Sequence, residues 1–127
     1  MAYNILIVDD SSLTRTAIRR IVDMVDIDID QVFEAGNGQQ AFEILENNTV
    51  DLVLADLNMP EMGGIEMVNR MKETDDYAQI PVIVVSTESS ATRIEDLLDK
   101  GVQDYLHKPF TPEEFGAILA KNLGVCK

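Results

Sequence analysis

Ile5-Leu6-Ile7-Val8-Asp9-Asp10 decides the reading of this chain: four aliphatic residues in a row, then two adjacent carboxylates. Side chains along a strand alternate between faces, so an unbroken aliphatic run calls for burial on both. That is the situation of a strand in a parallel sheet covered by helices on either side. The same arrangement recurs down the chain. Asp56 follows Leu52-Val53-Leu54-Ala55, Ser86 follows Val82-Ile83-Val84-Val85, and Lys108-Pro109 follows Tyr105-Leu106-His107. In such a sheet the residues just past the strands emerge along one edge, where α/β folds bind ligands. Asp9, Asp10, Asp56, Ser86 and Lys108 are therefore expected to converge on a single acidic site.

Outward from these runs the pattern alternates without a break. Strands are predicted at Asn4–Val8, Gln31–Ala35, Leu52–Ala55, Ile80–Val85 and Asp104–His107, with five amphipathic helices between and after them. Leu13, Ala17, Ile21 and Val25 mark the apolar face of the first helix. Ala41, Ile44 and Leu45 mark the second, and Ile65, Val68 and Met71 with Met67 the third. Ile94, Leu97 and Leu98, stopped by Gly101, mark the fourth. Phe115, Ile118, Leu119 and Leu123, stopped by Gly124, mark the fifth. Thr111-Pro112-Glu113-Glu114 is a start signal: a capping hydroxyl, a proline at the first helical position and a glutamate at the third. Thr92-Arg93-Ile94-Glu95 either forms a second capping box or lies inside a helix that begins a residue or two earlier. Strict β-α alternation with right-handed crossovers gives a doubly wound parallel sheet with helices on both faces. A chain of 127 residues is too short for an eight-stranded barrel of about 250, so the sheet is open.

That length, with 46% hydrophobic residues, supports one domain, residues 1–127, around one core. No stretch approaches the roughly 20 apolar residues of a membrane helix, and the N-terminus has no signal-peptide pattern. Cys126 is the only cysteine, so no internal disulfide is available, and a reducing, cytoplasmic location is expected. A net charge of −13 argues against nucleic-acid binding, which needs clustered Lys and Arg. Part of the acidity, Asp23, Asp26, Asp28 and Asp30, crowds one connection and reads as a solvated face.

The strand-end acids call for a different account. Carboxylates about 4 Å apart repel by roughly 4 kcal/mol per pair at an effective dielectric near 20. Protonation of one acid or capture of a divalent cation relieves this, and Lys108 opposes the first. All-oxygen donors without a full carboxylate cage suit Mg²⁺, which keeps several waters; no Cys/His cluster supports zinc. A Mg²⁺ site beside a lysine and a small hydroxyl is equipment for phosphoryl transfer, with an aspartate as oxygen nucleophile. Asp56, alone at the end of a central strand, is the nucleophile of choice.

Taken together, Val8-Asp9-Asp10-Ser11, Asp56-Leu57-Asn58-Met59-Pro60 with Gly63-Gly64, Val85-Ser86-Thr87-Glu88 and Gly101 to Phe110 resemble the receiver domain of two-component response regulators. The likeness is to the single-domain form typified by the chemotaxis regulator, and it runs from the first strand to the last helix. It implies a flavodoxin-like sheet ordered 2-1-3-4-5. It also implies metal binding by Asp9, Asp10, Asp56 and the carbonyl of Asn58, with phosphorylation of Asp56. Ser86 would be the switch hydroxyl, Lys108 the ammonium that contacts the phosphoryl group, and Pro109 the cis proline after it. Tyr105 would be the rotating switch residue, and Asn58 and Glu88 would tune the lifetime of the phosphorylated state. The implied partners are a sensor histidine kinase or phosphotransfer protein and a downstream target that binds the face of the fourth helix, fifth strand and fifth helix. The protein would act as a monomer and catalyse only its own phosphorylation and dephosphorylation.

Single residues have plainer readings. Asp9 alone is a helix-preceding cap, Ser86 a turn residue, and His107 an ordinary edge-strand residue rather than a phosphocarrier. Two rival functions are weaker. A Mg²⁺-dependent aspartyl phosphatase needs an acid two residues after its nucleophile, where this chain has Asn58. A flavodoxin-like cofactor binder needs a phosphate loop after strand one, where Asp9-Asp10 would repel phosphate. With nothing after Lys127, output is expected through protein contact, unless the chain is an excised receiver of a longer regulator.

Overall fold

β1 (Tyr3–Val8) sits inside the sheet, and its last four residues are buried, as the aliphatic run requires. In a computed structural model, residues 3–25, 28–56, 64–75, 77–86, 102–107 and 110–123 are described, with Thr92, Glu95, Leu98 and Asp99. At 64–68, Ser86 and Leu123 the description covers the backbone alone. The elements in order are β1, α1 (Ser12–Met24), β2 (Ile29–Ala35), α2 (Gly38–Asn47), β3 (Leu52–Asp56), α3 (Gly64–Glu73), β4 (Val82–Ser86), β5 (Asp104–His107) and α4 (Pro112–Leu123). Between β4 and β5, the described residues Thr92, Glu95, Leu98 and Asp99 have helical backbone, where the fourth helix was expected. All strand pairs are parallel and the order is β2-β1-β3-β4-β5, as predicted.

The alternation of side chains divides the core into two layers. Leu6, Val8, Val53, Ala55, Val82 and Val84 point to the face covered by Ala41 and Leu45 of α2 and Met71 of α3. Ile5, Ile7, Leu52, Leu54, Ile83 and Val85 point to the other, covered by Ile18 and Val22 of α1 and Phe115 and Leu119 of α4. Phe115 and Leu119 are wholly buried, as the spacing on the last helix predicts. That helix begins with the expected capping box: Glu114 N donates to Thr111 Oγ1 at 3.1 Å, and Thr111 N donates to Glu114 Oε1 at 3.2 Å. Thr92 is itself helical, so it is not an N-cap, and the alternative of an earlier helix start holds.

Three expectations need correction. The buried face of α1 is formed by Ile18 and Val22, with Ile21 and Val25 half-buried against the same core as expected, whereas Leu13 is 83% exposed and Ala17 is exposed. The sequence offers two overlapping stripes at helical spacing, and packing beside α4 and under β1 selects the one that contains Thr14, Ile18 and Val22. Leu98, assigned to an apolar face, is 43% exposed. β4 begins at Val82 rather than Ile80. Ile80 N donates to Tyr77 O at 3.1 Å and is held in a turn after α3. Pro81 has no N–H to give the ladder; its carbonyl accepts from Val53 N at 3.0 Å. At the other edges β1 and β2 begin slightly earlier than predicted, at Tyr3 and Ile29, and β3 reaches Asp56.

Candidate metal and phosphoryl-transfer site

Strand register brings the acids to one edge. Val8 pairs with Ala55, so Asp9 emerges from β1 beside Asp56, the last residue of β3. Asp56 pairs with Val85, and Ser86, the last residue of β4, pairs with His107 of β5. Asp9, Asp10 and Asp56 each offer a carboxylate oxygen within 4.8 Å of the others. Asp9 is buried, Asp56 half-buried and Asp10 exposed. The cluster is thus anchored in the fold on one side and open to solvent on the other.

The chain around Asp9 shows how that anchoring arises. Asp9 N donates to Ala35 O at 3.0 Å, which ties the end of β1 to the end of β2. Asp9 Oδ1 accepts from Ser11 N at 2.8 Å, and Ser11, not Asp9, is the N-cap of α1, its Oγ accepting from Thr14 N at 3.3 Å. The plain reading of Asp9 as a residue that organises the helix start is therefore half right. Its carboxylate shapes the turn and also enters the acid cluster. Sequence reasoning missed Arg15. Its guanidinium donates through Nη1 to the Asp9 carbonyl and through Nε to Glu34 Oε1 at 3.2 Å; Arg19 Nη1 meets the other Glu34 oxygen at 2.7 Å. No local motif signals this set, because Glu34 reaches Arg15 only through the β1–β2 register.

Of the other predicted residues, Ser86 is placed by its backbone at the carboxyl end of β4. Asn58, Glu88, Lys108 and Pro109 lie outside the described residues. Tyr105 is half-buried against the layer that holds Val84 and Val102, and His107 is exposed at the end of the edge strand. A groove of about 800 Å³ between α2 and α3, lined by Phe42, Glu43, Glu46, Arg70, Glu73 and Tyr77 among others, is separate from the acid cluster.

The donor set fits a small hard cation. A Mg²⁺ ion with bonds of about 2.1 Å spans roughly 3–4 Å between its ligand oxygens, so carboxylates within 4.8 Å of one another need only small side-chain shifts to share it. All three cluster donors are oxygens, and none is the thiolate or imidazole that favours zinc.

The fold and this edge have known counterparts. The pattern of the response regulator receiver domain matches residues 5–120, and the chain belongs to that family. A chemotaxis protein CheY homolog of Campylobacter jejuni is 36% identical over 121 residues, spanning 94% of this chain and 92% of that protein. Chemotaxis protein CheY1 of Helicobacter pylori is 34% identical over 121 residues, spanning 94% of this chain and 96% of that protein. Among solved structures, chemotaxis protein CheY4 of Vibrio cholerae superposes with a TM-score of 0.85 at 27% identity, covering 97% of this chain and all of that one. The receiver domain of a Pseudomonas aeruginosa sensor histidine kinase, solved with a magnesium ion coordinated in its active-site cleft, superposes with a TM-score of 0.84 at 25% identity. It covers 98% of this chain and 99% of that one.

Proposed function

We propose that this response regulator accepts a phosphoryl group on Asp56 from a sensor histidine kinase or phosphotransfer protein and then binds a target protein in a chemotaxis or motility pathway. The gathering of Asp9, Asp10 and Asp56 carboxylates within 4.8 Å at one sheet edge carries this reading. Similarity to chemotaxis proteins along most of both chains supports the pathway. A cytoplasmic monomer goes with it; no helix of the described residues is long and apolar enough to cross a membrane.

In the reaction an Asp56 carboxylate oxygen attacks phosphorus, the P–N bond of the donor's phosphohistidine breaks, and a proton returns to the leaving imidazole. Asp9 and Asp10, with Asp56 and the Asn58 carbonyl, would hold Mg²⁺, which neutralises the phosphoryl oxygens when bound. Lys108 would supply a second positive charge, and the Ser86 hydroxyl would donate to the transferred group. The added dianion biases the loop after β4, and Tyr105 turns with it. The target surface is accordingly the one formed by the helical residues between β4 and β5, by β5 itself and by α4. By their likeness to the lifetime-tuning positions of receiver domains, Asn58 and Glu88 would set the lifetime of the acyl phosphate.

The chain's chemistry is self-directed: Asp56 is both acceptor and the point from which phosphate is lost. A receiver carried inside a longer regulator is the second reading, favoured by the likeness to the Pseudomonas kinase receiver. It assigns Asp56 the same role. Incubation with acetyl phosphate and Mg²⁺ is expected to add one phosphoryl mass to the wild type and none to Asp56→Asn; equal labelling of the variant rejects the assignment.

A further inference from the structure

We propose that Arg15 is a positioning residue for the metal-binding acids: by gripping the Asp9 carbonyl and Glu34 together, it fixes the peptide plane from which Asp10 projects. This rests on the reading of Asp9, Asp10 and Asp56 as a cation site. The carbonyl of Asp9 and the N–H of Asp10 belong to one rigid planar unit, so whatever holds the first orients the second. Asp10 needs such help more than its neighbours do. Asp56 is set in the β3–β4 ladder, and Asp9 is buried with its N–H and one carboxylate oxygen engaged. Asp10 is exposed, beyond the strand and before the N-cap Ser11.

Arg15 suits this task for reasons of shape. It lies one turn into α1, and its side chain is 19% exposed. One guanidinium edge meets the Glu34 carboxylate at 3.2 Å while Nη1 reaches the Asp9 carbonyl. Arg19 closes the other side of Glu34 at 2.7 Å. The rigid fork donates in two directions at once, which the single ammonium of a lysine on a flexible stem does not reproduce. Gly36 lies beside this fork: a Cβ there would meet Arg15 Nη1 at 3.7 Å, an ordinary van der Waals contact, and Gln40 Oε1 more tightly at 3.2 Å.

Charge and geometry predict opposite signs for the loss of Arg15. A cation near a Mg²⁺ site repels the metal, so its removal would tighten binding if charge alone mattered. Glu34 compensates much of that charge locally, and the geometric role is the larger one. Loss of an outer partner of a metal ligand weakens metal affinity about tenfold at the low end.

The test is Mg²⁺ titration of the wild type, Arg15→Gln and Arg15→Lys, followed by backbone amide shifts, with thermal unfolding of each metal-free protein alongside. The expected result is an affinity about tenfold weaker in Arg15→Gln and several-fold weaker in Arg15→Lys, with unchanged folding midpoints. The Asp10 amide should broaden in both variants before metal is added. Acetyl phosphate labelling should need more Mg²⁺ for half-saturation and reach the wild-type rate when Mg²⁺ saturates. Affinity that is unchanged or tighter in Arg15→Gln overturns the inference while leaving the site intact. Weakening that tracks a fall in folding midpoint overturns it too, because it assigns Arg15 to stability. A wild type that binds no Mg²⁺ rejects the cation site and this inference with it.

Discussion

The two ends of the central strands carry the same kind of residue and use it differently. At the amino end, Asp51 Oδ2 accepts from Asn4 N at 2.8 Å, Asp51 N donates to Asn4 O at 2.9 Å, and Asn4 Nδ2 donates to Thr49 O at 2.8 Å. The carboxylate there is a stitch between the start of β1 and the connection into β3. At the carboxyl end, three carboxylates lie within 4.8 Å of one another. A strand-end aspartate that meets backbone donors stabilises the fold; one that meets other aspartates costs stability and can hold a cation. Asp9 belongs to both kinds, since it accepts from Ser11 N at 2.8 Å and joins the cluster.

The largest expected contrast is functional. Asp56→Asn should abolish phosphoryl labelling, whereas Asp51→Ala at the other end should label as the wild type does. Mass spectrometry after acetyl phosphate treatment reads both, and a labelling defect in Asp51→Ala would erase the division between the ends.

Stability should divide the other way. Asp51→Ala leaves the part-buried Asn4 N–H without its acceptor, a loss of about 1–3 kcal/mol measured by urea unfolding. Asn4 Oδ1 is buried with no donor among the described residues, so this end already carries one unsatisfied polar atom. A change below about 0.5 kcal/mol, the ordinary scatter of surface substitutions, would mean that Asp51 is not a stitch.

Divalent cation should act on one end only. At tenfold excess over its dissociation constant, Mg²⁺ should stabilise the wild type by about 1.4 kcal/mol and Asp51→Ala by the same increment. Asp10→Asn should lose most of that gain. An equal gain in Asp10→Asn would place the ion elsewhere.

The smallest effect is the sharpest in sign. Without divalent cation, Asp10→Asn removes one member of a repelling cluster and should leave stability unchanged or raise it by up to about 1 kcal/mol, the scale of a solvent-exposed charge pair at this separation. A clear loss in calorimetry would show Asp10 to be structural, and the two ends would then be alike.

Much of this was legible in the chain because the relevant signals are local. Four short polar stretches after aliphatic runs were enough to name Asp9, Asp10 and Asp56 as neighbours, since parallel strands must end along one edge. The Thr111–Glu114 capping box and the burial of Phe115 and Leu119 follow from spacing within a single helix. The errors fell where local signals tie. Leu13 and Ala17 recur with Ile21 as regularly as Ile18 and Val22 do, and only the packing of α1 against α4 and the sheet leaves the first two exposed. Ile80 looks like the start of a strand until its N–H is seen to serve a turn.

By itself, then, the sequence determined the doubly wound class, the strand order through its likeness to receivers, and the three acids that meet at one sheet edge. Hydrophobic period and residue type are carried by neighbouring positions and do not depend on what packs where. Only the tertiary structure decided which helix face is buried, that Ser11 rather than Asp9 caps α1, and that Arg15 joins Asp9 to Glu34. Arg15 and Glu34 are 19 positions apart in the chain and meet at 3.2 Å because β2 lies beside β1 in one register. A contact of that kind depends on the pairing of strands, and no window along the chain contains it.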